Sequence, residues 1–347
     1  MKGVVFVGDR KIEFQEFPDP TPGPRDVIIE IKASGMCGSD LHLYRASGDG
    51  PAIPGLTTGE PTIGGHEPCG VIVEVGGAVT PSEAVVGQRV MDHHYEGCGT
   101  CRHCRTGWNQ MCDEGATVFG INGHGAHAPY MKVPVGTVVP LREELSFEVG
   151  AAISCGTGTA FGALNRLQLR GDETIAIFGQ GPVGLSATML AASMGARVIA
   201  VDVLPQRCEM ARKFGAHDVI NPTETDPIEA INALTRGEGA HKTLDCTSSA
   251  EARLAAVRST RAWGTACMVG VGGNLEMDVA RDLIFRQIGV IGSWTFSTTG
   301  QVDCANYVAE RKLPVNELFS DRWKLEQADE AYRHFDQQAT GKGVFLL

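Results

Sequence analysis

Short apolar runs broken by glycine and proline fill the first third of the chain: Val4–Val7, Val27–Ile31, Gly70–Val75, Arg89–Met91 and Tyr130–Val133. Runs of this length, rich in Val and Ile and bounded by turn residues, predict short strands, and their uneven spacing predicts an irregular β region. Around Ser146 the pattern changes. An Ala/Gly-rich helical stretch opens, and strands then alternate with helices: Thr174–Phe178, Val198–Val201, Val219–Ile220, Lys242–Cys246, Thr265–Val269 and Val290–Ser293 are the predicted strands. Helices fill the gaps, among them Pro182–Met194 and Pro205–Phe214, the latter stopped by Gly215. Strict alternation of this kind predicts a parallel sheet. After Trp294 the pattern is mixed helix and loop. It closes in an apolar strand, Val344–Leu347, expected to rejoin the first region.

Length and composition narrow the classes. At 347 residues the chain suggests about two domains of roughly 150 residues each. Hydrophobic residues make up 43% and charged ones 20%, an ordinary globular balance with room for a core. No apolar run approaches the roughly 18 residues of a membrane-spanning helix, so no membrane partner is expected. The opening MKGVVFVGDRKIEF lacks an apolar segment of signal-peptide length and predicts a first strand rather than a leader. Eleven cysteines in such a chain point to metal ligands or reduced thiols in a cytoplasmic setting. The formal charge, 30 − 41 = −11, repels phosphate backbones, and no nucleic acid partner is expected.

Four cysteines stand in a ladder, Cys98, Cys101, Cys104 and Cys112, with gaps of two, two and seven residues. Flanking Gly97, Gly99, Arg102, His103 and Gly107 are loop residues, so the ladder predicts a loop wrapped around one ion. Thiolate sulfur suits a closed tetrahedral zinc site that holds the loop in place. A bacterial iron–sulfur run would end in a three-residue gap and Cys-Pro, whereas Cys112 is followed by Asp113.

The predicted strand Thr174–Phe178 runs into Gly179-Gln180-Gly181-Pro182-Val183-Gly184, and an apolar helix follows. In that context the first glycine permits the tight turn, the second lets backbone amides approach a pyrophosphate, and the third lets helix and strand pack closely. Asp202 closes the next strand eighteen residues beyond Gly184, near the spacing at which a carboxylate grips the adenosine ribose. A carboxylate there repels the extra phosphate of NADP, and Val203-Leu204 supplies no cation directly after it, so NAD is favoured; Arg207 lies near enough to leave some NADP use open.

Three further candidate ligands sit among distinctive neighbours: Cys37 in Cys37-Gly38-Ser39-Asp40-Leu41-His42, His66 in Gly64-Gly65-His66-Glu67, and Cys155 in Cys155-Gly156-Thr157-Gly158-Thr159. Two thiolates and an imidazole leave zinc an open fourth position, as catalysis needs. Spacing alone does not assemble them. Taken in order with the ladder, the glycine loop and Asp202, however, these motifs resemble the zinc-dependent medium-chain alcohol dehydrogenase family, and specifically its polyol and threonine dehydrogenase branch, over essentially the whole chain.

The resemblance implies an α/β protein: a GroES-like β-barrel catalytic domain built from residues 1–152 and 295–347, and a Rossmann doubly wound parallel sheet domain, residues 153–294, between them. It implies Cys37, His66 and Cys155 as catalytic zinc ligands beside Glu67, the four-cysteine site as structural zinc, and thus two zinc ions per subunit. Asp40 would fix the His66 ring, Ser39 would take the alcohol proton and His42 would pass it to solvent. Thr159 would pack on the nicotinamide, Val269 and Val271 would line its carboxamide, and Lys342 would meet the pyrophosphate of NAD. The implied reaction moves hydride from a secondary alcohol or polyol to NAD, reversibly to the ketone or aldehyde, in a homodimer or homotetramer paired through the sheet edge Val290–Ser293. Two departures weaken a finer assignment: Gly38 stands where some members carry a pyrophosphate-binding cation, and Cys155 where many polyol dehydrogenases have glutamate. His93, His94 and Tyr95 are expected near the zinc mouth, with Trp294 and Phe296 toward the nicotinamide. The alternatives are a non-catalytic NAD-binding redox sensor, a zinc-independent reductase lacking these ligands, and a primary alcohol dehydrogenase.

Overall fold

The computed structural model describes residues 1–47, 61–337 and 341–347. Two compact units emerge, one of residues Met1–Gly158 with Ser297–Leu347, the other of Thr159–Phe296.

In the first unit a seven-stranded sheet runs in the order Phe319–Trp323, Lys342–Leu346, Asp26–Gly35, Pro68–Val75, Arg89–Asp92, Val138–Pro140, with Tyr130–Pro134 also pairing to Asp26–Gly35. The long strand Asp26–Gly35 organises it. One edge is taken by Pro68–Val75; along the other, Asp26–Glu30 pair with Tyr130–Pro134 and Ala33–Gly35 with the C-terminal strand. The chain's end therefore lies antiparallel to the segment that runs into Cys37. Val27, Ile29, Ile31, Ile72, Val90, Met131 and Val133 fill one core beneath this sheet. A second core joins Val4, Met36, Leu41 and Tyr44 to Ala328, Ala331, Tyr332 and Phe345 of the returning segment.

The second unit is a six-stranded parallel sheet in the order Asp218–Ile220, Arg197–Val201, Thr174–Phe178, Ala240–Asp245, Thr260–Met268, Gly289–Gly292. The strand order reverses between Thr174–Phe178 and Ala240–Asp245, the topological switch at which doubly wound sheets bind ligands beyond the carboxyl ends of their strands. Thr174–Phe178 is buried nearly throughout, as a central parallel strand covered on both faces requires. The predicted helices form as Pro182–Ser193 and Pro205–Lys213. Phe319–Trp323 went unpredicted, since it carries Ser320, Asp321 and Arg322 in its middle and shows no apolar run. The predicted Thr265–Val269 forms as the longer Thr260–Met268, whose pairing with Ala240–Asp245 shifts register between Thr260 and Thr265, where Trp263 has a left-handed φ of 64°.

No described helix is long and apolar enough to cross a membrane.

Candidate active site and metal centres

Cys37 follows the strand Asp26–Gly35, His66 and Glu67 lead into Pro68–Val75, and Cys155 lies between the helices Phe147–Ile153 and Gly156–Arg166. Sheet pairing brings the first two together: the Gly35 amide donates to the Glu67 carbonyl at 3.1 Å, and a side chain on Gly35 would collide with Glu67 Oε2. Donor atoms of Cys37, His66, Glu67 and Cys155 all lie within 4.8 Å of one another. The two sulfurs are 3.9 Å apart. That is far beyond the roughly 2.05 Å of a disulfide but close to the ~3.8 Å between two sulfurs held tetrahedrally at about 2.3 Å from zinc. Although burial opposes charge on the ring, Asp40 and the Cys37 sulfur push the His66 imidazole well above its ordinary value. A hydrogen bond between the two sulfurs is the main cause that holds the Cys37 thiol well below its ordinary value, and the same contact with burial pushes the Cys155 thiol well above it. This pocket favours a cation, and its thiolate and imidazole donors fit zinc.

Around these donors the supporting groups are in place. Asp40 Oδ1 lies 2.9 Å from His66 Nδ1, which fixes the ring with Nε2 toward the site. Ser39 Oγ is 3.0 Å from His66 Nε2 and donates to Cys37 Sγ at 3.2 Å. His42, on the short helix Asp40–Arg45, is exposed. His94 stands with its ring centroid 5.2 Å from that of His66 and its Nδ1 3.0 Å from the Ser154 carbonyl. Tyr95 packs on His94 at 4.2 Å and His93 stacks at 6.3 Å. Burial and the neighbouring His66 and His93 keep His94 well below its ordinary value, so it is a neutral wall.

Lys342 is 2% exposed, its Nζ lies 2.5 Å from Glu67 Oε2 and 2.7 Å from Oε1, and it donates to the Met36 carbonyl at 3.1 Å. Pairing with Glu67 outweighs burial and raises it. Its contacts make it the counterion of Glu67, placed there because Lys342–Leu346 pairs beside the segment that carries Cys37.

The four-cysteine ladder closes on itself: Cys98, Cys101, Cys104 and Cys112 sulfurs lie within 4.8 Å of one another. Backbone amides of Cys98, Cys101 and Cys104 donate to the sulfurs of Cys112, Cys98 and Cys101 at 3.3, 3.3 and 3.5 Å. Hydrogen bonds from the Thr100 hydroxyl and amide bring Cys98 down to about 6. Gly97 is obligatory, since a Cβ there would fall 2.4 Å from Cys104 Sγ. Four convergent sulfurs, one already poised as thiolate, fit a structural zinc.

In the second unit, Gly179 has a φ of +85°, open to glycine. A Cβ on Gly184 would overlap the Gly179 carbonyl, while one on Gly181 would meet nothing nearer than Arg207 at 3.9 Å. The middle glycine thus keeps open a cradle that no protein atom fills, at the N-terminus of Pro182–Ser193, where Pro182 leads the helix and no side chain caps it. Free amides there and the helix dipole suit a pyrophosphate. Asp202, 6% exposed, ends its strand and accepts from the Gln180 amide at 2.6 Å and the Leu204 amide at 2.9 Å. Val269 and the exposed Val271 follow the carboxyl end of Thr260–Met268, on the same edge of the sheet. Thr159 is buried in Gly156–Arg166. Trp294 is 48% exposed, and Phe296, at 1%, lies against Gly162.

Sequence reasoning missed Tyr332, His127 and Ser34, which reach the site through Asp40. Their separations, up to 292 residues between Tyr332 and Asp40, leave no local spacing to notice.

A mixed barrel unit with two metal-competent donor sets and a dinucleotide-type parallel sheet define a zinc- and dinucleotide-dependent oxidoreductase. Residues 23–143 match the alcohol dehydrogenase GroES-like domain and residues 182–310 the zinc-binding dehydrogenase domain. The zinc-type alcohol dehydrogenase-like protein YphC of Escherichia coli (strain K12) is 38% identical, covering 99% of this chain and 98% of its own. An L-threonine 3-dehydrogenase of Symbiobacterium thermophilum is 32% identical over 96% of this chain and 93% of its own. The solved structure of alcohol dehydrogenase TADH from Thermus sp. ATN1 superposes with a TM-score of 0.90 at 27% identity, covering 100% of this chain and 99% of that one. The chain belongs to the zinc-type medium-chain alcohol dehydrogenase family, whose cofactors are NAD and zinc.

Proposed function

We propose that the protein oxidises a secondary alcohol or polyol with NAD, reversibly, at Cys37, His66 and Cys155. The observation that carries this is the convergence of those three donors with Glu67 inside 4.8 Å, beside Ser39. Zinc held there supplies Lewis acidity to the alcohol oxygen, and NAD supplies the hydride acceptor.

The chain's own residues do the rest. Ser39 Oγ takes the hydroxyl proton, and the exposed His42, three residues on, carries it to solvent. Asp40 holds His66 in one tautomer and orientation. Lys342 neutralises Glu67, so that the buried carboxylate does not compete unpaired for the metal. The glycine loop with Pro182, Val183 and the helix amides receives the pyrophosphate, Arg207 stands over Gly181 to assist, and Asp202 takes the ribose hydroxyls and disfavours NADP. Thr159, Val269 and Val271 line the nicotinamide.

A secondary carbinol is favoured by the Cys37-to-His42 motif, by the imidazole wall of His94 with Tyr95, and by the relative named for oxidation at position 3 of L-threonine. Polar walls of this kind bind hydroxylated substrates in preference to long alkanes. A homodimer or homotetramer in the cytoplasm is the proposed assembly. In its favour are the edge strand Gly289–Gly292, which has one partner only among the described residues, and the nearby Phe285 and Ile284, 81% and 56% exposed.

NAD and NADP reduction, followed across primary alcohols, secondary alcohols, polyols and hydroxy acids with and without a zinc chelator, tests this function. Chelator-sensitive NAD reduction on secondary carbinols is expected; exclusive turnover of primary alcohols, or none at all with zinc and NAD bound, would contradict it.

A further inference from the structure

His66 does not end its hydrogen bonding at Asp40. Asp40, 0% exposed, has His66 Nδ1 at 2.9 Å from Oδ1 and accepts on Oδ2 from the Cys37 amide at 2.8 Å and the Tyr332 hydroxyl at 3.1 Å. Tyr332 Oη lies 2.7 Å from His127 Nε2, and His127 Nδ1 lies 2.8 Å from Ser34 Oγ. Tyr332, His127 and Ser34 are each 0% exposed. Since Asp40 only accepts, the donors align one way. Ser34 donates to His127 Nδ1, His127 Nε2–H to Tyr332, Tyr332 to Asp40, and His66 Nδ1–H meets the same carboxylate from the other side.

The chain is also braced mechanically. The His127 ring occupies the space beside Gly65: a Cβ on Gly65, which has a φ of +87°, would fall 2.3 Å from His127 Nδ1. His127 and Ala126 amides donate to the Gly64 and Gly65 carbonyls at 2.9 and 2.8 Å, so one residue grips the backbone leading into His66 and feeds the hydrogen-bond chain that ends on its ring. Tyr332 comes from the helix Ala328–Asp336, and Asp336 at its end is ion-paired to Arg45 on the helix that begins with Asp40. Conjugated hydrogen bonds polarise one another in a low dielectric, and groups behind a metal-bound imidazole set both its orientation and its donor strength.

We propose that Tyr332, His127 and Ser34 are positioning residues for the metal, acting on His66 through Asp40. This rests on the reading that Cys37, His66 and Cys155 hold a zinc ion. A purely structural role for Tyr332 would be shared by its packing neighbour Phe6, whose ring lies 4.8 Å away and which has no polar atom to offer.

The test measures zinc per chain in the wild type, then the rate at which a chromogenic chelator removes it from the wild type, Tyr332→Phe, Ser34→Ala and Phe6→Leu. The four-cysteine zinc serves as internal reference. Loss of polar groups behind metal-bound histidines weakens metal affinity roughly 10–100-fold, so Tyr332→Phe is expected to release one zinc at least about 10-fold faster while the other leaves at the wild-type rate. Ser34→Ala should shift the same zinc in the same direction by less, and it carries the test alone if Tyr332→Phe does not fold. Phe6→Leu should lower thermal stability without this shift. Unchanged release in the two polar variants, or equal acceleration in Phe6→Leu, overturns the proposal while leaving the dehydrogenase function intact. A wild type holding a single zinc, at the four cysteines, overturns both.

Discussion

Lys342→Met, which removes the ammonium and keeps most of the bulk, separates two roles for this lysine. Nζ stands 2.7 Å from Glu67 Oε1, with the side chains 2% and 0% exposed. At an effective dielectric of about 20, unit charges at that distance attract by ~6 kcal/mol, part of which only offsets the burial of both ions. Removing one partner leaves the other buried and unpaired, and the expected destabilisation is about 3–5 kcal/mol. Glu67→Gln strands the ammonium in the same way, apart from its bond to the Met36 carbonyl. Lys342→Met/Glu67→Gln removes both charges, so its deficit should fall short of the sum of the single deficits by at least about 2 kcal/mol. Equilibrium urea unfolding of the zinc-loaded wild type and the three variants measures the cycle, with the KM for NAD measured alongside. Additive losses would refute the ion pair as the reason for this lysine. Full stability of Lys342→Met together with a KM for NAD raised tenfold or more would return Lys342 to the pyrophosphate.

Ser39→Ala should keep both zinc ions but lower kcat roughly 10²–10⁴-fold, the usual contribution of a positioned proton acceptor; steady-state kinetics with metal analysis check it, and an unchanged kcat would remove Ser39 from the proton path. Asp202→Asn keeps an acceptor for the Gln180 amide and deletes the charge, and should shift the NADP-to-NAD ratio of kcat/KM roughly 100-fold toward NADP, from ~3 kcal/mol of repulsion between charges about 5 Å apart at an effective dielectric of about 20. His127 is held down to about 4 by burial. With a folded value below the unfolded one of about 6.5, the stability it confers is complete above pH 6.5 and is lost as the pH falls toward 4, up to about 3 kcal/mol over that window. Urea midpoints at pH 7.5, 6 and 5 should therefore converge between wild type and His127→Gln as acid is added, and parallel curves would contradict a neutral buried imidazole.

What the sequence disclosed follows from distance along the chain. The four-cysteine loop and Gly179–Gly184 with Asp202 are local: a few residues dictate a turn, and the turn dictates which atoms converge, so spacing alone reads them. The alternation after Ser146 reads as well, because buried parallel strands such as Thr174–Phe178 are unbroken apolar runs. Cys37 and His66 meet through sheet pairing and Cys155 joins them from between two helices, 118 residues from Cys37, so it took the family pattern to group the three. The pairing of Lys342 with Glu67 was not legible either: the antiparallel pairing of the last strand with Ala33–Gly35 sets the lysine's ammonium against that carboxylate. Tyr332, His127 and Ser34 carry no motif, and each alone looks like an ordinary core residue. Only the folded chain lines up their polar atoms behind Asp40.

Metal content and turnover measured together on the wild type and Cys155→Ala test the central claim most directly. The account predicts two zinc ions per chain and NAD-dependent oxidation of a secondary carbinol in the wild type, and one zinc with no turnover in a folded Cys155→Ala. A Cys155→Ala protein that still holds two zinc ions, or that loses one and turns over at the wild-type rate, would contradict the placement of the chemistry at Cys37, His66 and Cys155.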